Sequence, residues 1–317
     1  MIRLVEFIPN EANKQFIRFG NEERELTTIP SLMPDDVAAM QSQYSEAESI
    51  LTTRRNPEER EKSRSIITQK KIQQYIKDGS KGDLDLSGEI VTSLPDNLKV
   101  GGNLIMVKSK IKSLPDNLTV EGDCRIIRAE IESLPPNLVV GGALFLGATH
   151  IEHIPSTIQV GKSMLLNSTD ITSLWDNLTV NGDLNIADTR IKSLPKNLKV
   201  KGTLSLNETD IEYLPEDLEV GMSINLVYSK IKALPDNFTV NGYLDLSNTE
   251  IKALPNNLTV RDSLYLMNSP IESIPYNLNV GNRINFAGTE ISYEYSYEQV
   301  KKMLEDRGGS AERITGI

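Results

Sequence analysis

The residues of this chain that could do chemistry are few: two histidines, His150 and His153, and one cysteine, Cys124. A zinc-type site needs further ligands beside two imidazoles, and Glu152 points to the opposite face in any extended geometry, so no metal site is expected. Cys124 falls at an apolar position of a repeated pattern, and a thiol buried among apolar side chains is inert. The pairs Gly101-Gly102 and Gly141-Gly142 open no helix and so do not cradle phosphate. Residues 1–80 hold no His and no Cys, and their acids are interleaved with Lys and Arg. No catalytic residue, cofactor or small-molecule substrate is expected, and the chain reads as a non-enzyme.

What remains is recognition chemistry, and it lies in columns of residues 20 apart. Ile105, Val107, Ile127, Phe145 and Leu165 stand where later repeats carry Asn, Ser and Asp. A contiguous apolar patch of this kind marks an interface, formed either with residues 1–80 of the same chain or with another protein. Arg125 in its midst suits a partner bearing a carboxylate or an aromatic face. Tyr228, Tyr265 and Met267 form a second, smaller candidate cluster.

The element that positions these residues is a repeat. Ten consecutive blocks of 20 residues follow without insertion, phased by Leu94-Pro95, Leu114-Pro115, Leu134-Pro135, Ile154-Pro155, Leu194-Pro195 and onward to Ile274-Pro275. Only Leu174-Trp175 replaces the proline. In a representative unit Leu184, Ile186, Thr189, Ile191, Leu194, Leu198 and Val200 recur. Alternation at Leu184 and Ile186 predicts a short strand with one face inward. Leu194 to Val200, with Pro195 and Asn197, predicts an extended or turn-like return path. A fixed short period means a solenoid, each turn burying its apolar face against its neighbours. The expectation is one parallel stack from residue 84 to 293, one strand per repeat, with Leu184 and Leu204 in adjacent strands.

The unit resembles that of the leucine-rich repeat family, L-x-x-L-x-L-x-x-N-x-L, over about two thirds of the chain. It departs from it in one column: the family's Asn is mostly Thr or Ser here (Thr149, Thr169, Thr189, Thr209, Thr249), with Glu89 and Ala129 as exceptions, and the hydroxyl can bond the backbone of an adjacent turn. The short unit with Leu-Pro is most similar to the bacterial type of the family, found in secreted effectors, and L-P-D-N-L-x-V arrays occur in tailed bacteriophages. The resemblance implies an α/β-type leucine-rich-repeat solenoid, its outward strand residues lining a partner-binding face. Effectors of this type that act as ubiquitin ligases carry a catalytic Cys in a domain after the repeats. Residues 294–317 contain none, so that activity is not expected.

The flanks complete a three-part organisation. Residues 1–80 form a non-repetitive attachment or capping region: a short strand from Ile2 to Ile8 ended by Pro9, a helix from Asp35 to Leu51, and a second helix. That helix is capped by Asn56, opened by Pro57, runs to about Lys77 and stops near Gly79. Its residues Ile66, Ile67, Ile72, Tyr75 and Ile76 form the face expected to dock on the first repeat. Residues 81–293 are the solenoid. Residues 294–317 are a capping helix, with a capping-box spacing at Ser296 and Gln299 and an apolar stripe at Val300, Met303 and Leu304. Ser310 to Ile317 are expected to form a mobile tail or tether.

The formal charge of -10 argues against nucleic acid. Residues 1–80 carry 12 Lys/Arg against 13 Asp/Glu, so nine of the ten excess negative charges belong to the repeats and the C-terminal end. Glu6 breaks the N-terminal apolar run and no stretch reaches the ~18 apolar residues of a membrane span, so neither a signal peptide nor a membrane segment is expected. Lys110 and Lys112 should stack beside Glu130 and Glu132, and Asp210 and Glu212 beside Lys230 and Lys232, as solvated structural pairs. The function expected is a protein-binding scaffold: a structural or accessory component of a bacteriophage particle that contacts other virion proteins, with a bacterial effector or adaptor that captures a regulatory protein as the alternative. The location expected is the cytoplasm or the virion.

Overall fold

The computed structural model describes the backbone of residues 7–9, 15–19, 22–25 and 57, and residues 58–317 in full. The expected helix from Asp35 to Leu51, the Asn56 cap and most of the strand from Ile2 to Ile8 lie outside the described residues. The chain divides into two compact units, Met1–Ser63 and Arg64–Ile317. In the first, Phe7–Pro9, Gln15–Phe19 and Glu22–Glu25 form an antiparallel sheet, with Phe7 opposite Ile17 and Phe19 opposite Glu22. Sequence reading found only the first of these strands. The missed signal is Gly20-Asn21, a two-residue pair of hairpin type between two short runs.

The second unit is a parallel β-solenoid with 20-residue turns. Leu184 pairs with Leu204, and the same parallel register runs from Leu84 to Ile284. Leu84, Leu86, Leu104, Met106, Cys124, Ile126 and their successors are almost wholly buried. The period-two pattern and the stack are therefore as the sequence predicts. The single strand per repeat is not. The return segment carries a second ladder, Lys99–Val100 on Thr119–Val120 and onward, because its β-branched Thr-Val pairs also suit extended pairing. This ladder is interrupted twice. One break lies between Val160 and Val180, the turn in which Trp175 stands for proline. The other lies between Val220 and Val240, the turn in which Phe238 stands for leucine.

Glycine pairs sit at the corner between the two ladders. A Cβ on Gly141 would come within 2.3 Å of the Glu121 carbonyl oxygen. The close approach lets the Gly142 N–H donate to Gly122 O at 2.9 Å, which accounts for a pair that binds no phosphate. On the return side, Asn97, Asn117, Asn177, Asn197, Asn237, Asn257 and Asn277 take the left-handed conformation, φ 54 to 62°. Their amides stack from turn to turn, as in Asn257 Nδ2 to Asn237 Oδ1 at 2.8 Å. The Thr hydroxyls do not bridge adjacent turns. Thr189 Oγ1 donates to the Ile186 carbonyl of its own repeat at 2.8 Å, and Thr149, Thr169 and Thr209 do likewise.

Helix α1 (Pro57–Lys77) closes the first turn. Only part of its expected face docks: Ile72 is buried and Tyr75 half-buried, while Ile66, Ile67 and Ile76 stay exposed. Polar groups hold it instead. Lys71 Nζ donates to Asp85 O at 2.6 Å, Tyr75 Oη to Gly82 O at 2.7 Å, and Thr68 is wholly buried. At the other end, helices α2 (Glu290–Glu294) and α3 (Tyr297–Asp306) follow the last repeat. The Ser296 N–H donates to Gln299 Oε1 at 2.9 Å, and Val300 and Leu304 are buried. The last residues form no tether. Ser310–Thr315 is a strand that pairs in parallel with Asn279–Asn285, and Ile314 enters the core as the next residue of the inward column.

Candidate partner-binding face

Three residues of each repeat face outward from the first ladder: those just before, between and just after its two core positions. Two of these columns carry a structural duty in about half of the repeats. The residue before the core accepts a backbone N–H from the following turn: Asn103 N–H donates to Asp83 Oδ1 at 2.7 Å, Asp123 N–H to Asn103 Oδ1 at 2.7 Å, and Ala143 N–H to Asp123 Oδ1 at 3.0 Å. The residue between accepts the N–H two places on. Asp85, Asn185, Asn225, Asp245 and Asn285 all do so, at 2.9 to 3.0 Å. Ile105, Phe145 and Leu165 occupy that middle column and cannot accept the bond.

Ile105, Arg125, Phe145 and Leu165 are consecutive register partners in one ladder, and the structure brings them together as the sequence implies. Ile105, Val107, Ile127, Phe145 and Leu165 are all half-buried. Arg125 already has both partners that its chemistry suggests. Its guanidinium lies 4.6 Å from the Phe145 ring centroid and 2.9 Å from Asp123 Oδ2. The Ala143 N–H, ahead of the Arg125 guanidinium, holds the Asp123 carboxyl below the usual carboxylate range.

The second cluster is arranged differently. Tyr265 packs edge-on against Tyr243, with centroids 6.4 Å apart. Met267 is half-buried on the same strand face. Tyr228 leaves from the turn after the strand, at φ 58°, and is 62% exposed. Among the described residues the ring contact of Tyr265 is with Tyr243 and not with Tyr228. Tyr243 stands in the outward column just before the core, outside the two columns from which the sequence draws this cluster.

The remaining chemistry-bearing residues stay apart. Burial pushes the Cys124 thiol up to about 12. His150 Nδ1 lies 3.2 Å from Asp170 Oδ2, within a ladder of charges that continues to Arg190 at 2.9 Å from Asp170 Oδ1. Among the described residues no group of three His, Cys, Asp or Glu could hold a metal ion, and no helix is long and apolar enough to cross a membrane.

The fold places the molecule in a class: a parallel β-solenoid of short repeats, the architecture that a leucine-rich-repeat pattern implies. No family model and no curated protein matches the chain. Among solved structures it is similar to YopM from Yersinia enterocolitica WA-314, with a TM-score of 0.45 and 15% identity over 80% of this chain and 69% of that one.

Proposed function

We propose that the chain is a non-catalytic protein-interaction scaffold whose binding face is the outward side of the first ladder. One observation carries this reading. In the repeats from Ile105 to Leu165, apolar side chains replace residues that elsewhere accept a turn-stabilising backbone bond. Such a replacement forgoes a bond worth about 0.5–1.5 kcal/mol. It leaves half-buried side chains that gain part of the ~1.5–3 kcal/mol that full burial of an exposed one is worth. A partner protein that covers the patch recovers the second of these. In this reading residues 1–80 serve as the attachment module and residues 294–317 close the array.

The test is Phe145→Asp. Its unfolding free energy in urea should fall by no more than about 1 kcal/mol, the worth of the Arg125 cation–π contact at a site outside the core, while capture of the physiological partner is lost. A sharp fall in stability would instead make the patch an intrachain contact. The particular setting, a bacteriophage particle in preference to an effector or adaptor, rests on the resemblance of the L-P-D-N-L-x-V repeats alone. Co-sedimentation with particles supports it, and release as a soluble complex with one regulatory protein favours the alternative.

A further inference from the structure

The outward residue before the core accepts a backbone N–H in about half of the turns, at Asp83, Asn103, Asp123, Ser163, Asp183 and Ser223. At the last repeat this position is Arg283, and the strand added beyond it places Arg313 directly opposite. An arginine accepts nothing and brings five donors. Adjacent parallel strands lie ~4.8 Å apart, and like charges facing each other across strands are unfavourable.

Several arginines are satisfied within the chain: Arg125 by Asp123 and Phe145, Arg190 by Asp170, Arg307 by the Ile274 carbonyl and the Tyr276 ring. Arg283 and Arg313 are not. Among the described residues neither guanidinium has an ion pair or hydrogen bond, and Arg283 Nε is buried without an acceptor. The chain carries 44 Asp and Glu residues, so a carboxylate could have been supplied from any neighbouring column, as it is for Arg125.

We infer that Arg283 and Arg313 form a carboxylate-binding site for an acidic segment of the protein partner, an inference that rests on the scaffold reading above. A guanidinium fork matches the two oxygens of a carboxylate, and one such anion held by the terminal amino groups would relieve the repulsion between the pair. Asn285 and Thr315 project from the same two strands, and Tyr265, the register partner of Asn285, supplies an aromatic edge beside them. On a molecule with a net charge of -10, a local cationic pair fixes where an acidic segment can approach and in what register.

The experiment uses the full chain, labelled for observation of arginine Nε–Hε resonances, titrated with end-blocked hexaglutamate. Saturable movement of the Arg283 and Arg313 signals is expected. The double variant Arg283→Gln, Arg313→Gln should weaken the apparent Kd by roughly tenfold or more. Hexaglutamine should move neither signal. Unmoved resonances in wild type at millimolar hexaglutamate overturn the proposal without reference to any variant. So does an equal response to hexaglutamine. Tighter saturation by inorganic phosphate than by hexaglutamate assigns the pair to a small anion and also overturns it. Saturable hexaglutamate binding together with Phe145→Asp that leaves partner capture intact would retain this site and sink the apolar face. Loss of capture in Phe145→Asp with unmoved arginine signals would do the reverse.

Discussion

The two ends of the outward face are built on the same backbone and present opposite chemistry. Around Arg125 the acid of the preceding column and the ring of the following turn close on the guanidinium, so the surface offered is apolar and half-buried. Around Arg283 the preceding turn offers Ser263, whose hydroxyl donates to Asp262, and the following strand offers another arginine. One cation is internal to the fold and the other awaits an anion. The lesson is that stacking constrains the inward columns strictly and the outward columns weakly, so function can vary along the face without disturbing the core.

The strongest challenge to this comparison is to the shared core. Ile126 lies behind the apolar end and Ile284 behind the arginine end, and both are fully buried. Truncation to Ala should cost about 2–5 kcal/mol at either site, measured by urea unfolding of each single variant. A much smaller cost for Ile284→Ala would mean that the C-terminal end opens separately, and the comparison would then be between a folded face and a fraying one.

How much of this could be read in advance follows from the same asymmetry. Leu184, Ile186, Leu194 and Val200 announce the solenoid because a core repeated ten times leaves an unbroken period. Phe145 and Leu165 were legible because they interrupt an otherwise polar column. Helix α1 was legible in extent but not in face, since Ile66, Ile67 and Ile76 look like core residues and stay exposed, while Thr68 is buried by hydrogen bonds to Arg64 O and Glu89. Arg313 was out of reach. Its column is set by Ile314 entering the core after two intervening helices, with a register shift between Val280 and Arg283, and no periodicity survives that detour.

A smaller effect separates the two arginines directly. Arg125→Ala removes a cation–π contact and an exposed ion pair, together worth about 0.5–1.5 kcal/mol. Arg283→Gln removes no bond within the chain and relieves a like-charge contact, so its stability should be unchanged or higher by a few tenths of a kcal/mol. Matched urea midpoints in low salt check the difference in sign. Equal losses in both variants would show that Arg283 has a structural partner after all.

The smallest effect is acid dependence, and it should appear at one end only. Asp123 is held below its ordinary range by the Ala143 N–H and then by Arg125. A carboxyl depressed in the folded state contributes stability above its unfolded pKa and loses it as pH falls through the folded value. The apolar end should therefore loosen as pH drops from neutral to below the usual carboxylate range. In Asp123→Asn the side-chain oxygen still accepts from Ala143, as Asn103 accepts from Asp123, so the bond persists and the loss on acidification shrinks. Amide-exchange protection at Ala143 reports the change. The Phe286 amide, which donates to Thr315 O at 3.0 Å behind the two arginines, depends on no such carboxylate and should keep its protection over the same interval. Parallel loss at both amides would mean that acid loosens the whole stack, and Asp123 would then be a minor contributor and not the local cause.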